Sequence, residues 1–265
     1  MTTQTSKPAV LITGASSGIG ATYADRFAKR GHDLVLVARD VARLTALKAR
    51  LAAETGVAVD IIQADLTRES DVATVESRLK NDGKIGILIN NAGASLPGTF
   101  VEQSGTDVAR LIALNVTAVT RLANAAATRF AHEGRGSIVN IGSIVGLAPE
   151  LGWSVYGATK AFVQFLTQSL HTELSPKGVY LQAVLPSATR TEIWERSGKD
   201  VNTIPGVMDV GELVDAALVG FDGRELITIP PLQDEAQFTA MDQARAAMVP
   251  NFMQAKAAPR YRQVA

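Results

Sequence analysis

Residues 9–20, AVLITGASSGIG, decide the fold. AVLIT at 9–13 is a short apolar run rich in β-formers, and residues 21–30 carry a helical pattern, so the stretch reads as strand, tight turn, helix. Gly14, Gly18 and Gly20 are spaced G-x-x-x-G-x-G. Such glycines serve positive φ in the turn, close approach of backbone to a phosphate, and tight packing of the first helix on the sheet. The helix N-terminus behind the turn presents unpaired N–H groups to an anion. Ser16, Ser17 and Ile19, which fill the turn, are expected to touch the same ligand. A glycine-rich cap that binds nothing is the alternative, and the strand before it and the groups downstream count against it.

Further apolar strand candidates follow at Leu34–Ala38, Val59–Ala64, Ile85–Ile89, Ser137–Ile141, Val179–Leu185 and Glu225–Ile229. They alternate with helical stretches that run through Leu51, over 71–80, around 107–131 and from Tyr156 to Leu174. Strands this apolar have no polar face to show water, so the pattern predicts a doubly wound α/β fold, a seven-stranded parallel sheet with helices on both faces. No composition break marks a second domain, and residues 1–265 are expected to form a single domain. Two segments fit the alternation poorly. Residues 187–211, with Gly, Pro, Ser and charges, are expected to form a lid above the strand ends. Residues 232–265 make a C-terminal extension with an Ala/Met-rich helix candidate around 235–248 and a basic, aromatic end, PRYRQ.

The composition, 46% hydrophobic and 20% charged over 265 residues, is that of a globular chain with a packed core. Its 26 basic and 26 acidic side chains leave no excess to attract a nucleic-acid backbone, so no nucleic-acid partner is expected. With no cysteine, disulfides, thiol chemistry and thiolate metal ligands are excluded together. His32, His132 and His171 are dispersed without the close spacing of metal ligands; no metal is expected, and a metal hydrolase is disfavoured. The opening MTTQTSKPAV lacks the apolar centre of a signal peptide, and no apolar run reaches about 18 residues. A cytoplasmic protein with no membrane attachment is the expectation.

Residues just past the strand ends extend the phosphate cradle into a nucleotide site. Arg39 stands beyond the second strand, where an adenosine ribose would be recognised. A carboxylate there would accept from both ribose hydroxyls of NAD, whereas Ala38 supplies none and the Arg39 fork suits a 2′-phosphate. NADP(H) is therefore preferred, with NAD(H) still admissible. Asp40 either pairs with Arg39 or reaches toward the ribose. Asp65, at the end of the third strand, is placed for the adenine amino group with Leu66 beside it, or else caps the next helix. Asn91, Ala92 and Gly93 follow the fourth strand and set small residues and backbone against the cofactor.

Tyr156 and Lys160, four apart, share one helix face. An ammonium beside a phenol favours phenolate, which fits Tyr156 as general acid in carbonyl reduction and general base in alcohol oxidation. Ser143 is placed to donate to the same oxygen. Asn115 lies in the middle of the long helix, where it is a poor helix former, so its side chain or a loosened backbone is expected to hold water leading to Lys160, or the side chain satisfies a buried polar group. After the sixth strand, Pro186, Thr189 and Thr191 are expected at the nicotinamide carboxamide, although either threonine equally suits a cap for a helix through Ile193, Trp194 and Glu195. The substrate walls are read as mostly apolar, with Val145, Trp153 and Trp194 joining Ser143 and Tyr156. That pairing of cradle and proton-transfer set points to hydride transfer on a hydrophobic ketone, aldehyde or alcohol.

With TGASSGIG at 13–20, NNAG at 90–93, and Asn115, Ser143, Tyr156 and Lys160 in order, the chain resembles the short-chain dehydrogenase/reductase family. The likeness covers residues 9–191 and extends through the last strand. It implies a Rossmann-type subunit, NAD(P)-dependent oxidation of alcohols or reduction of ketones and aldehydes, and a homodimer or homotetramer in which the helices over 107–131 and 156–174 pair across a two-fold axis. Two departures stand out: Pro186-Ser187 where the family has Pro-Gly, and the length of the tail after Pro231. The leading expectation is an NADPH-dependent carbonyl reductase. A 3-ketoacyl thioester reductase and a noncatalytic NADP-binding sensor or scaffold are the alternatives.

Overall fold

The structure, a computed structural model, describes residues 7–192 and 200–262. The chain divides into two units, Met1–Pro231 and Leu232–Ala265. In the first unit the strands are β1 Ala9–Thr13, β2 Leu34–Ala38, β3 Val59–Gln63, β4 Ile85–Asn90, β5 Gly136–Ile141, β6 Val179–Val184 and β7 Ile227–Thr228. Between them run α1 Gly18–Lys29, α2 Val41–Thr55, α3 Glu69–Asn81, α4 Gly105–Ile112, α5 Val119–Glu133, α6 Ser154–Leu174 and α7 Val210–Asp222. The seven strands pair in parallel in the order β3-β2-β1-β4-β5-β6-β7, a single Rossmann-type α/β sheet. Connections leave β1 toward β2 on one side and reach β4 on the other, so a crevice opens at the C-terminal ends of β1 and β4, where ligands of such sheets bind.

The apolar strands are buried for the reason the sequence suggests. Val10 and Ile12 of β1 enter one layer with Tyr23 and Phe27 of α1, Leu44 and Leu51 of α2, and Val214 and Leu218 of α7. Ala9 and Leu11, pointing the other way, enter a second layer with Val72, Val75 and Leu79 of α3 and Leu122, Ala126 and Phe130 of α5. Phe130 is fully buried, and Phe130→Ala is expected to destabilise the protein by about 3–5 kcal/mol, because the sheet cannot collapse onto the space left. Chemical denaturation measures it; a loss below about 1 kcal/mol would mean that α5 does not seal this layer.

Three elements differ from the sequence expectation. The helix over 107–131 is α4 and α5 joined by a π-helical turn, Ala113–Ala118, with Asn115 inside it. The last strand is shorter than Glu225–Ile229, because the chain is still turning out of α7: Arg224 sits at φ 61° and the Glu225 N–H donates to the Gly220 carbonyl at 2.9 Å. Helix α7 was not assigned, although Asp209 caps it through the Gly211 and Glu212 N–H groups and Leu213, Val214, Ala217 and Leu218 form its buried stripe. Within the expected lid, Met208 N–H donates to the Ala188 carbonyl and Arg190 N–H to the Met208 carbonyl, which pairs Thr189 with Met208. Residues 193–199, and with them the expected helix through Ile193 and Trp194, lie outside the described residues.

The second unit holds α8, Glu235–Met248, the helix expected around 235–248. Asp234 caps it by accepting from the Ala236 N–H at 3.0 Å. None of its residues is buried, and Met241, Met248, Phe252, Met253 and Tyr261 are exposed.

Candidate active site

A cavity of about 1150 Å³ occupies the crevice. Its walls come from the glycine turn, the ends of β2 and β3, the loop after β4, the Ser143 and Tyr156 regions, and the segment after β6. The sheet places these pieces together because each strand end delivers its loop to the same edge.

At one end stand the groups suited to a carbonyl oxygen. Ser143 follows β5 with its Oγ donating to the Pro186 carbonyl at 3.3 Å and accepting from the Val145 N–H at 3.4 Å. The Tyr156 and Ser143 hydroxyls share a hydrogen bond, and the Tyr156 ring meets Trp153 edge-on at 5.8 Å between centroids. Lys160, one turn along α6, is buried with Nζ donating to the Ile141 carbonyl at 2.8 Å and lying 5.7 Å from the centre of the Tyr156 ring. Burial pushes the Tyr156 phenol up to about 12, with the Ser143 hydrogen bond acting against it. The phenol pKa is raised, not depressed as expected from the lysine, because desolvation outweighs an ammonium that is turned to Ile141.

Burial likewise lowers Lys160 from 10.5 to about 8. Between those values the unfolded chain binds more protons than the folded one, so this group makes stability rise with pH from about 8 to 10.5. Tyr156 acts oppositely, but only above about 10. In the protein alone, wild type is expected to gain stability over Lys160→Met between pH 8 and 10, with a slope approaching about 1.4 kcal/mol per pH unit. Denaturation across that range checks it, and a flat difference would mean Lys160 titrates as a solvated lysine.

Asn115 explains the π turn. Its Oδ1 accepts from the Ala94 N–H at 3.0 Å, and its Nδ2 donates to the Ala94 carbonyl at 2.9 Å and to Thr159 Oγ1 at 3.1 Å. The side chain is thus committed to the loop after β4 and to α6, the buried-polar reading. The widened turn supplies the loosened backbone of the other reading. Thr159 Oγ1 in turn donates to the Tyr156 carbonyl at 2.7 Å, tying Asn115 to the tyrosine's own turn.

The other end suits a dinucleotide. Gly14 and Gly18 have φ of 65° and 52°, the conformation that glycine supplies. A Cβ at Gly20 would press on the Gly14 carbonyl and Asn91 Nδ2, so this glycine lets the first turn of α1 close onto the cradle. Asn91 braces the same turn, its Nδ2 donating to the Thr13 and Gly14 carbonyls at 2.9 and 3.2 Å, while Thr13 Oγ1 accepts from the Asn91 and Ala92 N–H groups, each at 3.0 Å. A turn held open by such bracing, with Ser16, Ser17 and Ile19 facing the cavity, fits a pyrophosphate.

Arg39 lines the cavity, and among the described residues no carboxylate pairs with its guanidinium. Asp40 caps α2 through the Arg43 N–H and pairs with the Arg43 side chain at 3.3 Å, so its ion-pair partner is Arg43 and not Arg39. Asp65 lines the wall with Leu66, and its Oδ1 also accepts from the Thr67 N–H and hydroxyl. Burial pushes this carboxyl upward, but the Thr67 bonds and the charges of Arg39 and Arg110 hold it below the usual carboxylate range.

The cavity thus brings together Gly14, Gly18, Asn91, Ala92, Gly93, Ser143, Val145, Trp153, Tyr156, Lys160, Pro186, Thr189 and Thr191. Gly20 and Asn115 support it from behind, and Trp194 lies outside the described residues. Sequence reasoning missed Thr13 and Thr159, which sit inside the motifs TGASSGIG and YGATK and were legible as buried hydroxyls there. It also missed Arg43, Arg110 and Glu192, whose places depend on how α2, α4 and the segment after β6 converge. Among the described residues no helix is long and apolar enough to cross a membrane, and no group of three or more His, Cys, Asp or Glu is arranged to hold a metal ion.

Residues 8–202 match a family model described as short chain dehydrogenase. A short-chain dehydrogenase from Sphingobium yanoikuyae, solved in complex with NADPH, is 66% identical, with 96% of this chain and 100% of that chain covered and a TM-score of 0.95. The bulky-bulky ketone specific alcohol dehydrogenase from Comamonas testosteroni is 59% identical, with 98% and 100% covered and a TM-score of 0.92. Among curated relatives, 17-beta-hydroxysteroid dehydrogenase type 3 from Rattus norvegicus is 35% identical over 184 residues, 68% of this chain and 60% of that protein. The chain therefore spans about 60% of the length of the curated relatives it matches. The matched stretch runs from just before β1 to beyond β6, and so carries the glycine turn, Asn115, Ser143, Tyr156 and Lys160 within one alignment: this chain belongs to the short-chain dehydrogenase family.

Proposed function

We propose that the protein is an NADP(H)-dependent oxidoreductase that reduces a ketone with bulky apolar substituents to the secondary alcohol, and oxidises the alcohol in reverse. The observation that carries this reading is the juxtaposition, in one cavity, of the Ser143 and Tyr156 hydroxyls and the Lys160 ammonium with Arg39 at the far end. A relative 66% identical was solved with NADPH, which supports the cofactor, with NAD(H) as the weaker ligand. Leu96, Ile144, Val145, Leu151, Trp153 and Ile204 make the cavity apolar near Tyr156, with no cation among them. That lining favours a hydrophobic ketone over a 3-ketoacyl thioester on a phosphorylated carrier, and the Comamonas enzyme's description as bulky-bulky ketone specific points the same way.

When bound, the reduced nicotinamide supplies hydride, with its electron pair, to the carbonyl carbon. Ser143 Oγ donates to the carbonyl oxygen and fixes its direction. Tyr156 transfers its phenolic proton to that oxygen as the C=O π bond is lost, which completes the alcohol. Lys160, charged at neutral pH with Nζ 5.7 Å from the Tyr156 ring centre, favours the phenolate through its charge until a proton returns. With Tyr156 at about 12, the proton donor is loaded at pH 7, so reduction is expected to run at neutral pH and oxidation to speed up as pH rises. The reading also takes the segment 187–211 as a substrate lid, and a cytoplasmic homodimer or homotetramer built on α4–α5 and on α6, whose Phe162 and Phe165 are exposed.

NADPH consumption followed by absorbance over a ketone panel tests the function. Aryl and branched ketones should be reduced faster than short methyl ketones, and no turnover with any carbonyl compound would sink the proposal. Light scattering reads the assembly.

A further inference from the structure

Arg43 and Glu192 stand 149 residues apart in sequence, yet Arg43 Nη1 meets Glu192 Oε1 at 2.5 Å. Both line the cavity. Arg43 belongs to the first turn of α2, where Asp40 Oδ2 lies 3.3 Å from its Nε. Glu192 follows Thr191, whose Cγ2 would stand 3.1 Å from a Cβ placed at Gly18. The chain after β6 is therefore fastened at two adjoining places, packed on the glycine turn by Thr191 and tied to α2 by Glu192. Arg43 and Glu192 are both partly exposed, and an ion pair of that kind adds little to fold stability. What it does is fix where this wall stands.

We infer that Arg43 and Glu192 form a clasp across the wall of the cofactor cavity, and that this clasp sets how fast the nicotinamide cofactor leaves. The inference rests on the NADP(H) reading above. Charge alone predicts the opposite of a clasp: removing a carboxylate beside a site for a polyanion strengthens its binding. The sign of the effect therefore separates the two accounts.

The test is the dissociation rate of NADPH from the full chain, read by stopped-flow loss of bound-NADPH fluorescence on chasing with excess NADP+. Glu192→Gln is expected to release NADPH about tenfold faster, the scale of losing one charge-assisted bond. The same acceleration is expected with NADH, since the clasp does not need a 2′-phosphate. Combining Arg43→Ala with Glu192→Gln should release NADPH no faster than Arg43→Ala alone, because the Arg43–Glu192 bond is already gone once Arg43 is removed. Unchanged or slower release from Glu192→Gln, or additive effects in the double variant, overturns the clasp while leaving the cofactor assignment intact. Failure of the wild-type chain to bind NADPH overturns both.

Discussion

Tyr156→Phe is expected to lower kcat by about 10³-fold while leaving NADPH affinity close to that of wild type. The change removes one oxygen and keeps the ring, so the edge-on contact with Trp153 at 5.8 Å and the position of Lys160 beside the ring are retained. What is lost is the phenol hydroxyl that bonds to Ser143. Ser143 cannot replace it, because its hydroxyl is a far weaker acid and is engaged with the Pro186 carbonyl. The variant should also unfold slightly more easily, by about 1 kcal/mol for one lost hydrogen bond, which a denaturation curve separates from the kinetic effect. Turnover within tenfold of wild type would remove Tyr156 from the proton-transfer role. Loss of NADPH binding together with turnover would instead mean that the phenol holds cofactor.

The same residue shows what the sequence made legible and what it did not. Spacing on a helix correctly placed Tyr156 and Lys160 on one face, since that follows from backbone geometry alone. The direction of Lys160 Nζ does not follow from spacing: it is set by the Ile141 carbonyl, an acceptor at the end of β5. β1 and β2 were readable because both of their faces are apolar and buried, and they match their expected limits residue for residue. Helix α7 escaped because its apolar positions sit beside a Gly- and Pro-containing segment that looked irregular, despite the Asp209 cap. The π turn was half legible. Asn115 signalled a weak point in a helix, but the π register accompanies bonds to the Ala94 N–H and carbonyl, which meet Asn115 only in the folded chain. Arg43 and Glu192 were beyond reach for the same reason: each is an ordinary charged residue until α2 and the segment after β6 meet.

Arg39→Asp is expected to shift the ratio of NADPH to NADH affinity by about 10²-fold or more toward NADH. Two contributions add. Loss of the guanidinium removes charge-assisted bonds to the 2′-phosphate, each worth about 1.5–3 kcal/mol. The new carboxylate repels that phosphate and accepts from the ribose hydroxyls of NADH. Neighbours do not cancel the change. Asp40 is occupied in capping α2 and pairing with Arg43, and Arg43 is further held by Glu192, so neither is at liberty to take over the vacated role without breaking an existing ion pair. Asp65, the other carboxylate near Arg39, is anchored by Thr67, and losing the Arg39 charge should raise its pKa rather than move it toward the ribose. Fluorescence titration of both cofactors measures the ratio, and repeating it at high salt should weaken wild-type NADPH binding more than NADH binding. If the ratio stays put, the phosphate is not read at Arg39, and the preference for NADP(H) has to be sought at Arg43 or given up.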